Sequence, residues 1–429
     1  MSALAILGGK PVIDKPFRKY NPIDEAEAQA VSQVLQSGVL SDFVGARGKN
    51  FYGGKQVQAF EQAWREKFGV KHAVTMNSAT SCLAAAIGAV GAGPGDEVIV
   101  SPYTMSASAA AILVFNALPV FADIDPDTFN MDPDSVEARI TKNTKALMVP
   151  NIFGHPADYN RLREIAGKRG LKIIEDNAQS PLAEYDGRLA GTIGDIGVFS
   201  LNYHKHIHTG EGGVCVTNDD GLAERLCMIR NHAEAAIEQK EAASLTNMIG
   251  FNFRLGEIEA AIGIEQLKKI DRLVASRIAI ADGLTRRLSD IAELQTPAVR
   301  PRCRHVYYVY AMKYRPHRAN VPRNLVVKAL QAEGVPLGTG YVKPLYLQPI
   351  YQKRIGYGEK GCPFTCAFHD GKLNYEKGLC PTAERMHEED LFLFEPCKHE
   401  LSESDLDAIS EAFHKVFGGL GALSQLNLQ

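Results

Sequence analysis

The run GLKIIEDNAQSPLAEYDGRLAGTIGDIGVFSLNYHKHIHTGEGGVCVTN, residues 170–218, contains three short β-rich segments: KIIED (172–176), GVFSL (197–201) and GVCVTN (213–218). Their apolar character is nearly continuous instead of alternating, as in strands covered on both faces. Working back toward the N-terminus, HAVTM (72–76), EVIVS (97–101), PVFADI (119–124) and ALMVP (146–150) repeat the pattern. Between them SCLAAAIGAV and DYNRLREIAGKRG place apolar residues at helical spacing and run into glycine, and glycines 91, 93 and 95 around Pro94 turn the chain into the next strand. The alternation predicts an α/β fold with a mostly parallel sheet and helices on both sides.

In an open parallel sheet a ligand sits beyond the carboxyl ends of the strands, so the residues just after each strand come first. After 72–76 stands NSATS, whose hydroxyls and helix-opening N–H groups suit an anion, although Ser81 reads equally well as a plain helix cap. After 97–101 stands Tyr103, an aromatic face for a planar ring or simply core. Asp176 ends a buried strand and needs a cation, donors or a capping role there. Lys205 lies just past another buried strand, where desolvation turns an amine into a nucleophile. An anion cradle, a ring face, an acid for a ring nitrogen and an activated lysine together describe a site for pyridoxal 5'-phosphate.

The segments NSATSCLAAAIGAVGAGPGDEVIVSPYTMSASAAAI, FADIDPDTFNMDP, IFGHPADYNRLREIA, residues 173–213 and NMIGFNFRLGEIEAAIGIEQL resemble, in order, the DegT/DnrJ/EryC1/StrS family of sugar aminotransferases. The resemblance is continuous over residues 15–290 and looser through YVKPLYLQPIY. It implies an aspartate-aminotransferase-like (fold type I) enzyme that uses pyridoxal phosphate. Lys205 corresponds to the Schiff-base lysine, five residues before the family's G-[DE]-G-G turn, and Asp176 to the acid facing the pyridine nitrogen. Gln179 corresponds to the residue near the cofactor's 3-oxygen, Ser200, Ala79 and Thr80 to phosphate ligands, and Tyr103 to the stacking aromatic. Asn252 matches an asparagine that reaches a neighbouring subunit's phosphate, which implies a homodimer with shared active sites. The chain departs from the family pattern at Asn177, where EDAAQ has become EDNAQ, at Leu201 and at Ala79, and these changes bear on the substrate more than on the cofactor.

The implied reaction moves an amino group from an amino acid, glutamate first, to a keto sugar in cell-surface polysaccharide biosynthesis. As a whole the chain is most similar to members acting on 8-oxo-3-deoxy-manno-octulosonate, with Arg254, Lys343 and Arg385 as candidate partners for a carboxylate or diphosphate. Some relatives carry histidine in place of the lysine and act as dehydratases, but counting back from Gly210 puts Lys205 in register and leaves His204 and His206 beside it. A dehydratase on the same fold and a non-catalytic regulatory binder are the alternatives. A nicotinamide site is disfavoured, because GTIGDIG precedes a strand instead of following one.

With 429 residues the chain should form two cores, a large lobe over 1–265 and a smaller α/β lobe over 266–429 that opens with HVYYVYAMKY (305–314). The last helix should start at Ser402 with Asp405 in the capping-box position and bury Leu406, Ile409, Phe413 and Val416, with a loose tail from Gly418. DEAEAQAVSQVLQSG should form a helix presenting Val31, Val34 and Leu35 and stopping at Gly38. A net charge of -3 gives no reason to expect a nucleic-acid or membrane partner, and the start lacks a secretory pattern, so the cytoplasm is the expected compartment. The eight cysteines lack framework spacing; Cys362, Cys366 and Cys380 with His369 and His387, like His204, His206 and His208, match a metal site poorly, so none is expected.

Overall fold

The structure is a computed structural model and describes residues 3–237 and 245–426. Seven strands form the main sheet: β1 (His72–Met76), β2 (Glu97–Val100), β3 (Leu118–Phe121), β4 (Thr144–Pro150), β5 (Lys172–Asp176), β6 (Ile196–Ser200) and β7 (Gly213–Thr217). Their spatial order is β1-β7-β6-β5-β4-β2-β3, and only β7 runs against the others. Nearly every residue of β2, β5 and β7 is buried, which is why these strands are apolar without alternation. The expected strand over 119–124 is shorter, because the chain leaves the ladder at Ala122 to form a turn in which the Asp125 carboxylate accepts from the Asp127 and Thr128 N–H groups at 3.1 and 2.7 Å.

A second sheet lies toward the C-terminus. It consists of β8 (Leu294–Gln295), β9 (Tyr310–Tyr314), β10 (Leu337–Thr339) and β11 (Leu391–Phe394), antiparallel in the order β8-β9-β11-β10. The stretch expected as a strand from 305 begins its ladder only at Tyr310. Residues 305–309 are instead drawn onto the main lobe, where the Val306 N–H donates to Gly154 O at 2.9 Å and the Val309 N–H to Phe153 O at 3.2 Å.

One helix, Glu257–Leu288, joins the two cores. Its 32 residues span about 48 Å at 1.5 Å per residue. Leu267, Ile270 and Val274 pack in the cluster with Phe60 and Trp64, whereas Ala281, Leu284 and Leu288 belong to the cluster built on the second sheet. Glu25–Ser37 lies along the same long helix, with an Asp24/Glu27 capping box and Gly38 at φ 71° ending it. Val34 is buried, but Leu35 is 56% exposed, so the expected apolar stripe is only partly covered.

The last long helix runs Glu403–Gly418 with the Ser402/Asp405 capping box, and Leu406, Ile409, Phe413 and Val416 are buried. The region expected to be loose forms another helix, Leu420–Leu426, whose Leu423 is fully buried in the second core; residues 427–429 lie outside the described residues. The tail is ordered because an apolar contact repays the entropy of fixing it. Among the described residues no helix is long and apolar enough to cross a membrane. His369 is committed to Glu97, its Nε2 2.8 Å from Oε1, while the thiol of Cys380 faces Phe121 O at 3.9 Å.

Gly263 marks the tightest approach between the long helix and Lys55–Phe68, since a Cβ there would stand 2.6 Å from the Phe60 ring. Gly263→Val should therefore overpack this seam and cost about 1–3 kcal/mol. Calorimetry should show a fall of several degrees in Tm, and an unchanged Tm would contradict the packing described.

Candidate active site

Beyond the carboxyl ends of β1, β4, β5 and β6 lies a cavity of about 190 Å³, the natural ligand position in such a sheet. Its walls come from segments far apart in sequence, and each side chain is placed by the way its strand ends.

At one end, β1 runs into the Ala79–Ala89 helix. Ser78 caps it, its hydroxyl accepting from the Ser81 N–H at 3.0 Å, and the hydroxyl of Ser81 donates to Asn77 Oδ1 at 2.6 Å. The cap is thus Ser78 and not Ser81. Ala79 and Thr80, in the helix's first turn, line the cavity, where the helix dipole favours an anion. Gly213 lies directly beneath this turn; a Cβ on it would sit 2.6 Å from Ala79 N. Ser200, at the end of β6, completes this end of the cavity.

Opposite stands Asp176. Its carboxylate accepts from the Ser108 hydroxyl at 2.6 Å and from the Ala178 N–H at 3.2 Å. Burial pushes this carboxyl above the usual carboxylate range, while Ser108, Ala178 and the charge of Lys205 pull it back. A carboxylate that is this desolvated and faces a cavity suits a cationic donor. Gln179 is held from two sides: its Oε1 accepts from the Phe153 N–H at 2.7 Å and its Nε2 donates to the Tyr341 hydroxyl at 2.9 Å. Burial pushes the Tyr341 hydroxyl up to about 12, so it stays neutral across the working range. The second Nε2 hydrogen of Gln179, a residue of the cavity wall, is left for a ligand oxygen.

Lys205 occupies a turn in which its N–H donates to Asn202 O at 2.9 Å and its carbonyl accepts from Arg277 Nη2 at 3.3 Å. Its Nζ stands 4.5 Å from the centroid of the Tyr308 ring. The three neighbouring histidines diverge. His204 lines the cavity and is pushed down to about 4 by burial and by Lys205, so it is neutral at working pH. His206 is fully buried with Nε2 2.9 Å from Val306 O, whereas His208 belongs to a separate groove with Ile23, Glu27 and Ile262.

Two of the expected cofactor residues stand elsewhere. Tyr103 is fully buried behind the wall, its ring edge-on to Phe153 and Tyr341, and the same segment presents Thr104 and Met105 to the cavity instead. The reason is local geometry: the chain bends after β2, so its first aromatic turns inward to the core and Met105 is left 53% exposed. Asn252 is exposed, bridged to Asn231, and does not line this cavity. Arg254 is engaged with Asn231 Oδ1 at 2.9 and 2.6 Å, Arg385 pairs with Asp390 at 3.1 Å, and neither of these nor Lys343 lines the cavity. Ser108, Met105, Tyr308 and Tyr341 escaped the sequence reading. Ser108 alone had a local signal, as a small hydroxyl residue in the first turn of an alanine-rich helix.

The donor set fits pyridoxal phosphate. The cavity offers helix N–H groups that suit a phosphate, a buried acid that suits a ring nitrogen, an amide donor that suits a ring oxygen and an amine that suits an aldehyde.

Comparison with known proteins agrees with this reading. The model of the DegT/DnrJ/EryC1/StrS aminotransferase family matches residues 21–391. The chain is 33% identical over 404 residues to the spore coat polysaccharide biosynthesis protein SpsC of Bacillus subtilis (strain 168), covering 92% of this chain and 96% of that protein. It is also 33% identical over 433 residues to L-glutamine:2-deoxy-scyllo-inosose aminotransferase of Streptomyces kanamyceticus, covering 97% of each. Among solved structures, the aminotransferase from Psychrobacter cryohalolentis superposes with a TM-score of 0.79 at 29% identity, over 95% of this chain and 100% of that one.

Ser108 lowers the Asp176 pKa, so Ser108→Ala should raise it further. The acid limb of the pH profile of cofactor binding, followed by absorbance, should move to higher pH; an unmoved limb would show that the hydroxyl does not tune the carboxylate.

Proposed function

The chain belongs to the DegT/DnrJ/EryC1/StrS aminotransferase family, and from that premise we propose that Lys205 and Asp176 carry out amino transfer from glutamate to a keto sugar. It is a pyridoxal-phosphate-dependent sugar aminotransferase of fold type I. The observation that carries the assignment is that Asp176 and Lys205 line one cavity together with a helix N-terminus at Ala79 and Thr80.

When bound, the cofactor supplies an aldehyde carbon and an electron-poor ring that accepts the electron pair of a breaking Cα–H bond. Asp176 would hold the ring-nitrogen proton, with Ser108 and Ala178 keeping its carboxylate oriented. Lys205 would be the amine that bonds the cofactor's aldehyde carbon; displaced by the donor's amine, its Nζ would take the proton from the donor's Cα and deliver it to the former aldehyde carbon. Gln179 would orient the ring oxygen from its fixed amide. Water would supply the oxygen with which the donor leaves as an oxo-acid, and the same transfers in reverse would place the amine on the sugar's carbonyl carbon, whose oxygen leaves as water.

The substrate proposed first is 8-oxo-3-deoxy-manno-octulosonate, in cell-surface polysaccharide synthesis. The name of the Bacillus relative supports a polysaccharide setting, and those of the inosose enzymes support a polyhydroxylated keto substrate, with glutamine as the donor to compare against glutamate. The cytoplasm is the proposed compartment, which suits the described cysteines being free. A large lobe over 1–265 and a small one over 266–429 are proposed, supported by separate hydrophobic clusters that share one helix. A homodimer is proposed as well. Met105 and Tyr203, the latter 69% exposed, stand at or beside the cavity wall as apolar groups for a second copy to cover, and Asn252 is free to reach that copy's site.

Borohydride reduction of holoprotein followed by peptide mapping should label Lys205, and Lys205→Ala should abolish amino-sugar formation in a mass-spectrometric screen of keto sugars. Retained turnover, or a label elsewhere, would end the assignment. For the dimer, Lys205→Ala and Asn252→Ala chains that are each impaired alone should regain part of the activity when mixed, because one of the two sites then carries both residues. No recovery despite demonstrated subunit exchange would refute shared sites.

A further inference from the structure

A ring that stands against the Lys205 amine comes from neither the β6 turn nor the Ala79 end of the cavity. Tyr308 belongs to the segment laid between the two lobes, and Lys205 Nζ lies 4.5 Å from its ring centroid. The segment is tied down on both sides. Val306 and Val309 donate their N–H groups to Gly154 and Phe153, and Val306 O lies 2.9 Å from Nε2 of His206, the residue next to Lys205. The rings of His204 and His206 each stand 6.2 Å from that of Tyr308, at 43° and 33°. Tyr308 itself is buried, so its face is a fixed surface in a desolvated place.

We propose that Tyr308 is a positioning residue whose ring face holds the Lys205 amine by a cation–π contact as the amine takes the Cα proton and becomes an ammonium, keeping it within reach of the carbon to which that proton is delivered. The proposal rests on Lys205 being the lysine that bonds the cofactor. A lysine side chain has four rotatable bonds, and once released it would otherwise sample orientations that leave the reacting carbon. The negative face of an aromatic ring attracts the ammonium most strongly where water is excluded. Because Tyr308 is anchored to Gly154 and Phe153 on one side and to the Lys205 turn through His206 on the other, the amine's resting place depends on how the lobes are seated. Plain core packing is the competing account of the same ring. It predicts that shape alone matters, whereas the proposal predicts that the electron density of the ring face matters.

The test has two readouts. In apoprotein, the labelling rate of Lys205 by acetic anhydride, measured by mass spectrometry against the other lysines, should rise about tenfold in Tyr308→Leu and stay near wild type in Tyr308→Phe. In holoenzyme without any sugar, loss of deuterium from the Cα of deuterated glutamate should slow about tenfold in Tyr308→Leu with the donor's KM unchanged, and by less than twofold in Tyr308→Phe. Fluorinated phenylalanines at 308 keep the shape while weakening the face, and are the second set should the leucine variant fail to fold; both rates should change in step with fluorine number. Wild-type rates in Tyr308→Leu, or rates indifferent to fluorination, would overturn the proposal. Borohydride labelling of Lys205 in the same variants separates the two failures: label present with unchanged rates sinks only the role of Tyr308, while label absent from wild type sinks the reading beneath it.

Discussion

A carboxylate buried at the end of a strand is the constraint on which the site depends. Asp176 sits in the middle of a sheet covered on both faces, where an ionised side chain is costly without compensation. Among the described residues a hydroxyl and one N–H, from Ser108 and Ala178, bond to it, with the charge of Lys205 nearby. That incomplete compensation makes the pocket selective for a ligand with a cationic N–H at this depth. Gln179, the Ala79 turn and Lys205 line the same cavity, so a planar ring held at Asp176 would have all three within its surroundings.

Close backbone approach does the rest of the positioning. Gly213 packs under the Ala79 turn, and a Cβ on Gly197 would lie only 1.9 Å from Gly191 O, so β6 and β7 reach positions that any larger residue would block. The buried Glu175, beside Asp176 on the same strand, accepts from the N–H groups of Gly191, Ile193 and Gly194 at 2.7, 2.6 and 2.5 Å. This loop is thereby locked to β5, and the two neighbouring carboxylates take different parts, one structural and one facing the ligand.

Residues from the C-terminal third of the chain reach the groups at the ends of the main sheet's strands. Tyr341 orients Gln179, and Tyr308 stands beside Lys205. Both come from segments that look like ordinary strand or loop in one dimension. Tyr308 reaches Lys205 because Val306 and Val309 donate to the Gly154 and Phe153 carbonyls, which pulls 305–309 out of its own sheet and onto the main sheet's side.

Much was legible in the residues themselves. The parallel core was readable because burial on both faces leaves an unbroken apolar run, and strand-end chemistry was readable because Asp176 and Lys205 are out of place in such a context. The capping box at Ser402 was equally local. Three other features were not legible. Tyr103 is turned into the core and Met105 onto the cavity because a bend after β2 decides which side chain turns inward. The tail from Gly418 is helical because Leu423 finds a core that no nearby residue announces. The rings around Lys205 and Gln179 are set by contacts across more than a hundred residues. The amino-acid sequence by itself determined the sheet, its ligand-bearing strand ends and the acid–lysine pair, since these rest on periodicity and on the cost of burying charge. Only the tertiary structure decided which aromatic groups meet them, because a side chain's direction at a bend and its distant neighbours depend on how separate segments pack.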